Sequence, residues 1–436
     1  MNREANQEGL GGSALGLATL VLAGESIFLL PFVLPRVFRP TLLAVLQIDN
    51  LQLGKLFSVY GVVALLAYLL GGPLADRFRP HQLLATALVL TACGGFYLAQ
   101  VPSLRGLYLM YAGWGLSTIL LFWAAMLRAT RLLGRARAQG RAFGWLEGGR
   151  GLLSALIATG GVALLQQFLP GDVGAQGAVA GGAPDQQQAY AFTVLVNTLS
   201  SLVLLAALCV YVVLRRLPEV SAQELKVRDA FEWRRLASVA RLPAVWRLAL
   251  VILCAYSGYR VLDNVSLLGF DVLNYSEAGA AGLGSANLYI RPLASISAGF
   301  LADRYSASRM STLAFVLSLV GTAVVSIGLA AEVRLAWPIL LGIGLVSLGV
   351  YALRGLYFAL TAEGNVPVEV TGTAIGLASL VGYLPDIYMA PLTGYLIDTY
   401  PGGYGHLLTY IVAAIFMLVG GLIAGSYRRI RRASVV

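Results

Sequence analysis

The stretch Gly72-Pro73-Leu74-Ala75-Asp76-Arg77 occurs a second time, as Gly299-Phe300-Leu301-Ala302-Asp303-Arg304. Each copy closes a long apolar run, and another apolar run follows within a few residues. An acid and a base placed between two membrane-length helices can pair with each other and with the helix ends at the water boundary. That arrangement is a latch on one membrane face, present once per half of the chain. Asp76, Arg77, Asp303 and Arg304 are read as gate residues on this ground.

Composition around the repeat agrees. Of 436 residues, 58% are hydrophobic and 12% charged, whereas a soluble domain carries about 25% charged residues. A chain this apolar belongs in a lipid bilayer. The net charge of +10 does not point to nucleic acid, because the bases stand at the ends of apolar runs, which is a topology signal. Cys93, Cys209 and Cys254 fall inside apolar runs, and His81 and His406 stand at loop edges, so neither a disulfide framework nor a metal site is expected. No nucleophile–base constellation or phosphate loop appears, so the expectation is no enzyme and no cofactor. The tail up to about Ser13 is polar and no small-residue cleavage pattern follows the first apolar run, which is read as a retained helix rather than a signal peptide.

A span needs roughly 20 apolar residues. The rule predicts helices at 14–35, 51–75, 82–101, 106–127, 142–168, 189–214, 247–268, 281–303, 310–331, 337–360, 371–395 and 405–427. The expected fold is an all-α membrane protein of 12 transmembrane helices in two six-helix bundles, residues 1–214 and 247–436, joined by a cytoplasmic linker at 215–246. Counting Lys and Arg with the N-terminus inside puts 22 in cytoplasmic segments and five in external loops. Both termini are therefore expected in the cytoplasm of a bacterial inner membrane protein. In the linker, Phe231, Leu236, Val239 and Ala240 can share the face of a surface helix at the headgroups; a solvated linker is the alternative. The loop 169–188, rich in Gly, Ala and Gln, is expected to be external and without chemistry.

Twelve spans as six plus six, with G-x-L-A-D-R after the second and the eighth, resemble the major facilitator superfamily over essentially the whole chain. Both copies depart from the family pattern, which has Gly two places after the Arg; Arg79 and Ser306 stand there instead. The resemblance implies two bundles that rock about a central substrate site. Glu147-Gly148-Gly149-Arg150-Gly151 and Gly382-Tyr383-Leu384-Pro385-Asp386 are similar to a bacterial branch that includes carriers near sulfonate-sugar gene clusters, which assigns no substrate. Glycines four apart in the fifth span (Gly140, Gly144, Gly148) and the eleventh (Gly372, Gly376) are read as helix-packing positions.

Ionisable residues inside spans cost about 2.5–3.5 kcal/mol each on insertion scales and are functional candidates by default. Glu147 with Arg150, and Arg260 with Asp263, are three apart and can neutralise each other as structural ion pairs. Arg291 has no acid within a turn or two of its own helix, so it needs a carboxylate from another helix, such as Asp263, or an anionic ligand. Arg354, beside Tyr351 and Tyr357, reads as a gate or as a base reaching for the interface. Glu25 and Asp386 are isolated acids, open either to proton coupling or to an interhelical arginine. Pro385 adds an expected kink.

Of the many tyrosines in spans, Tyr256, Tyr259 and Tyr289 stand beside Arg260 and Arg291 and can hydrogen-bond a polar substrate. The reading is a secondary active transporter, monomeric, that moves a small organic anion (carboxylate, phosphate or sulfonate) with protons as the coupling ion. Arg150, Arg260, Arg291, Tyr256, Tyr259 and Tyr289 would bind substrate, and Glu25 and Asp386 would carry the proton. The alternatives are an exporter of amphipathic drugs or lipids, which needs a large apolar cavity, and a non-transporting ligand receptor.

Overall fold

The computed structural model describes residues 2–133, 135–169, 186–215, 233–331, 336–364, 366, 370–400 and 402–433. Most of the expected linker, including Phe231, most of the loop 169–188, and the side chains of Asp76, Glu147 and Leu236 lie outside the described residues.

Twelve long helices carry the fold, as the apolar runs predict: α1 (Leu15–Val37), α2 (Asn50–Arg77), α3 (Pro80–Leu98), α4 (Leu104–Thr130), α5 (Arg135–Phe168), α6 (Gln186–Leu214), α7 (Pro243–Asp271), α8 (Glu277–Tyr305), α9 (Ala307–Ala330), α10 (Ala336–Ala359), α11 (Thr373–Thr399) and α12 (Gly403–Tyr427). Among the described residues, eleven are long and apolar enough to cross a membrane. The exception is α8, which is 29 residues long but carries Glu277, Arg291, Pro292 and Arg304.

Helix ends follow local rules. Proline opens α3 at Pro80 and α7 at Pro243, where a missing N–H is harmless. The Ser103 hydroxyl caps α4 through Gly106. A helix at Trp233–Ala240, within the expected linker, packs on α7 and on the first half of α11, with Val239 buried.

The chain forms two compact units. Unit 1 comprises 1–48, 59–227 and 275–288; unit 2 comprises 49–58, 228–274 and 289–436. In unit 2 the start of α2 is held by Asp398, whose carboxylate accepts from Asn50 Nδ2 at 2.8 Å and Leu51 N at 2.7 Å. Gly394 brings α11 so close there that a Cβ would stand 2.4 Å from the Asn50 carbonyl oxygen. Small residues also let α9 and α10 touch at Gly321 and Gly342. Gly376 is a correction to the sequence reading. Open space surrounds the position a Cβ would take, so it packs nothing.

In unit 1 an unexpected short helix, Arg39–Leu46, presents Thr41, whose hydroxyl donates to Glu277 Oε2 at 2.6 Å. Gln188 donates to the other carboxylate oxygen. Burial raises the Glu277 carboxyl above the ordinary range, and these two hydrogen bonds oppose the rise.

The two copies of the repeated stretch end differently. Arg79 has ordinary extended backbone, with φ −67° and ψ 134°. Ser306 has φ 135° and ψ 147°, a region that belongs to glycine. The second copy therefore keeps a glycine backbone with a serine in it. In return, the Ser306 hydroxyl accepts from Arg309 N at 3.4 Å, and Glu363 accepts from Ser308 N at 3.2 Å.

Replacing Ser306 with Gly should raise stability by about 1 kcal/mol, because relief of 1–3 kcal/mol of strain outweighs the few tenths lost with the cap. A rise in the thermal midpoint of purified protein checks it. A folded-state carboxyl raised above its unfolded value binds its proton more tightly in the native state, so stability falls as pH climbs above the ordinary carboxylate range. Melting curves across that range should show this slope in the wild type and a flatter one in Glu277→Gln.

Candidate functional site

Three helices of unit 2 depart from regular α geometry. The α7 helix tightens into a 3₁₀ turn at Leu262–Asn264, and α10 does so at Tyr357–Ala359. The α11 helix breaks after Gly382 and resumes at Pro385, with Asp386 N bonded to the Tyr383 carbonyl at 3.1 Å. The sequence accounts for this break. Pro385 has no N–H to continue the ladder, and a Cβ on Gly382 would lie 2.4 Å from Ile252 Cγ2, so only glycine lets α11 approach α7 there.

The break delivers Asp386 to Arg260. Arg260, 2% exposed, donates from Nε to Asp386 Oδ1 at 2.7 Å and from Nη1 to Asp263 Oδ2 at 2.7 Å. One guanidinium thus holds both acids, the i,i+3 neighbour expected from spacing and a partner from another helix. Its face lies over the rings of Phe57 at 5.2 Å and Tyr256 at 5.8 Å.

Arg354 stands beside this pair in a different setting. Its guanidinium carbon lies 4.2 Å from the Tyr259 ring centre and 5.7 Å from that of Tyr256. Tyr357 and Tyr383 are also near enough to act on its charge, and their hydroxyls are 3.2 Å apart. Among the described residues no carboxylate forms an ion pair with Arg354. The aromatic wall is continuous, with Tyr256 against Tyr383 at 4.8 Å and against Tyr259 at 5.3 Å, and Tyr259 against Tyr351 at 6.2 Å.

Unit 1 holds a buried ion pair of its own. Arg150 Nε is 3.6 Å from Glu25 Oε2, both nearly inaccessible. The guanidinium lies over Phe28 at 5.5 Å and Trp123 at 6.0 Å. Gly24 makes the room, since a Cβ there would be 3.0 Å from Arg150 Cδ. Wider π-helical turns at Leu29–Val33 in α1 and Leu116–Trp123 in α4 flank the cluster, a feature frequent at functional sites.

The residues singled out in the sequence thus separate. Tyr256, Tyr259, Arg260, Asp263 and Asp386 come together, with Arg354 among them. Glu25 and Arg150 meet in unit 1. Arg291 is buried on α8, Tyr289 is half-buried, and both are engaged with neighbours. Arg77, Asp303 and Arg304 are exposed, and Arg304 lies over the Tyr305 ring. Tyr357 and Tyr383 carry the cage around Arg354 without having been named as site residues. Their signal was Tyr351, Arg354 and Tyr357 at three-residue spacing on one helix, matched by Tyr256 and Tyr259 on another.

Comparison with known proteins gives this architecture a class. A family model of the major facilitator superfamily matches residues 14–388. The chain belongs to that superfamily. Inner membrane protein YqcE of Escherichia coli (strain K12) is 25% identical over 377 residues, covering 85% of each chain. Inner membrane protein YihN of the same organism is 24% identical over 418 residues, covering 93% of each. Among solved structures, a bacterial homologue of the human lysosomal transporter Spinster superposes with a TM-score of 0.70 at 13% identity, covering 97% of this chain and 98% of that one.

Removing the cation between the buried Asp263 and the half-buried Asp386 should be the most damaging change in this cluster. Arg260→Gln is expected to destabilise by about 3–5 kcal/mol, and Asp386→Asn by clearly less, because Asp263 still pairs with the arginine. Thermal unfolding in detergent ranks the two; an equal effect would show that the carboxylates have other support.

Proposed function

We propose that this chain, which has the fold of a secondary transporter of the major facilitator superfamily, carries a small organic anion bearing a carboxylate, phosphate or sulfonate. Arg354 is the observation that supports the reading most directly. A guanidinium stays charged within a span, and this one is surrounded by tyrosines instead of a carboxylate. Its face is covered by Tyr259, so its N–H edge is the part left to donate, and that fork fits two acceptor oxygens. The hydroxyls of Tyr357 and Tyr383 add neutral donors. Arg260, Tyr256 and Tyr259 form the adjoining wall in unit 2, where Arg291 and Tyr289 are further candidate anion contacts; Arg150 is the candidate in unit 1.

Proton coupling fits the same cluster. Asp386 shares Arg260 with Asp263, so a proton taken up on Asp386 leaves the guanidinium neutralised. Glu25 is the corresponding acid in unit 1. A proton moving with a monoanion cancels its charge, so uptake does not oppose the membrane potential. The protein is then a monomeric symporter of the inner membrane with both termini in the cytoplasm.

Uptake by proteoliposomes under an imposed proton gradient tests the proposal. Arg354→Gln should abolish uptake of the anion that wild type accumulates, with the melting temperature unchanged; Arg291→Ala should reduce it. Transport retained by Arg354→Gln, or inhibition by cationic dyes instead of organic anions, would favour an exporter of amphipathic compounds.

A further inference from the structure

Away from the buried charges, α3 and α6 leave an apolar groove on the surface of unit 1. It has a volume of about 710 Å³ and is lined by Ala85, Val89, Leu90, Leu204, Leu208 and Tyr211 among others. Leu90, Leu204, Leu208 and Tyr211 are each more than two-fifths exposed, so the groove is open along its length. Its floor runs from Tyr211 to Ser201 along α6. At 1.5 Å per residue that is about 15 Å, half of a bilayer's hydrocarbon thickness. The groove therefore matches one leaflet.

One end of the groove is basic. His81, buried in the first turn of α3, meets the Tyr211 ring edge-on at 5.9 Å. Arg79 and Arg215 both lie close enough to bring their charge to bear on His81, and both are exposed. An apolar channel one leaflet deep, closed at the boundary by two arginines and an imidazole, matches the two ends of an anionic phospholipid. Polarity of the termini as proposed above puts the basic end at the cytoplasmic face, where anionic headgroups attract juxtamembrane bases.

We infer that the α3–α6 groove is a binding site for an anionic phospholipid of the inner leaflet, with an acyl chain along Val89, Leu204 and Leu208 and the phosphodiester at Arg79, Arg215 and His81. The site is separate from the Arg260–Arg354 cluster and does not depend on the transported substrate.

Native mass spectrometry of the purified full chain, with phosphatidylglycerol and phosphatidylcholine added in turn, tests it. Wild type should retain phosphatidylglycerol preferentially. Substituting Arg79→Gln and Arg215→Gln together should lower that preference by about 25-fold, roughly fivefold for each arginine. Filling the groove by Leu208→Trp should reduce retention of both lipids, and Leu204→Trp, one turn away, should do the same should the first variant fold poorly. The double arginine variant keeping the wild-type preference, or both tryptophan variants binding lipid as before, would overturn the assignment.

Discussion

A guanidinium inside a membrane span must be neutralised, and in unit 2 one guanidinium is neutralised twice. Arg260 holds Asp263 from its own helix and Asp386 from α11. Bringing the second carboxylate in requires α11 to come close to α7 and then change direction. Gly382 permits the approach and Pro385 ends the hydrogen-bond ladder. The 3₁₀ turn of α7 at Leu262–Asn264 contains Asp263 itself. With both acids on Arg260, Arg354 is left to aromatic faces, an interaction worth about 0.5–2 kcal/mol. The polar character of the site thus follows from how two carboxylates are divided between two arginines.

Unit 1 meets the same requirement differently. Among the described residues Arg150 meets Glu25 at 3.6 Å and two aromatic rings, where Arg260 meets two acids at 2.7 Å. A looser ion pair needs less exact placement, and the helices there widen into π turns instead of breaking. Gly24 and Gly382 act alike in the two units: each removes a side chain where a helix must pass close to a neighbour.

Spans and repeats were legible in the sequence because they depend on runs of about 20 apolar residues, and a bilayer enforces that length. The short helix Arg39–Leu46 was not, since its eight residues are set by tertiary contacts such as Thr41 with Glu277. Pairing within a helix was readable where spacing alone fixes it, as for Arg260 and Asp263. Pairing between helices was left open, because sequence separation does not say which face of α11 meets α7. Arg150 illustrates the limit: spacing offered Glu147, while the described partner is Glu25, on α1. For Arg354, a place near a helix end suggests a gate or a base reaching for the interface. The ring of tyrosines that gives it another meaning comes from three separate helices.

Asp263 and Asp386 look equivalent as ligands of Arg260, yet their attachment differs. Asp263 is three residues along the same helix, so it moves with the arginine whatever else shifts. Asp386 stands in the first turn of the second half of α11, and its distance to Arg260 depends on the turn at Tyr383 and Leu384, whose N–H and carbonyl groups make four backbone hydrogen bonds. A rotation of that half-helix separates Asp386 from Arg260 without leaving the guanidinium unneutralised. It also moves Tyr383 relative to Tyr357 and Tyr256, which alters the cage around Arg354. For the proposed carrier, protonation of one acid and rearrangement of the anion-binding wall would therefore both act through the turn at Tyr383 and Leu384. Asp386 is the carboxylate through which the two would be coupled.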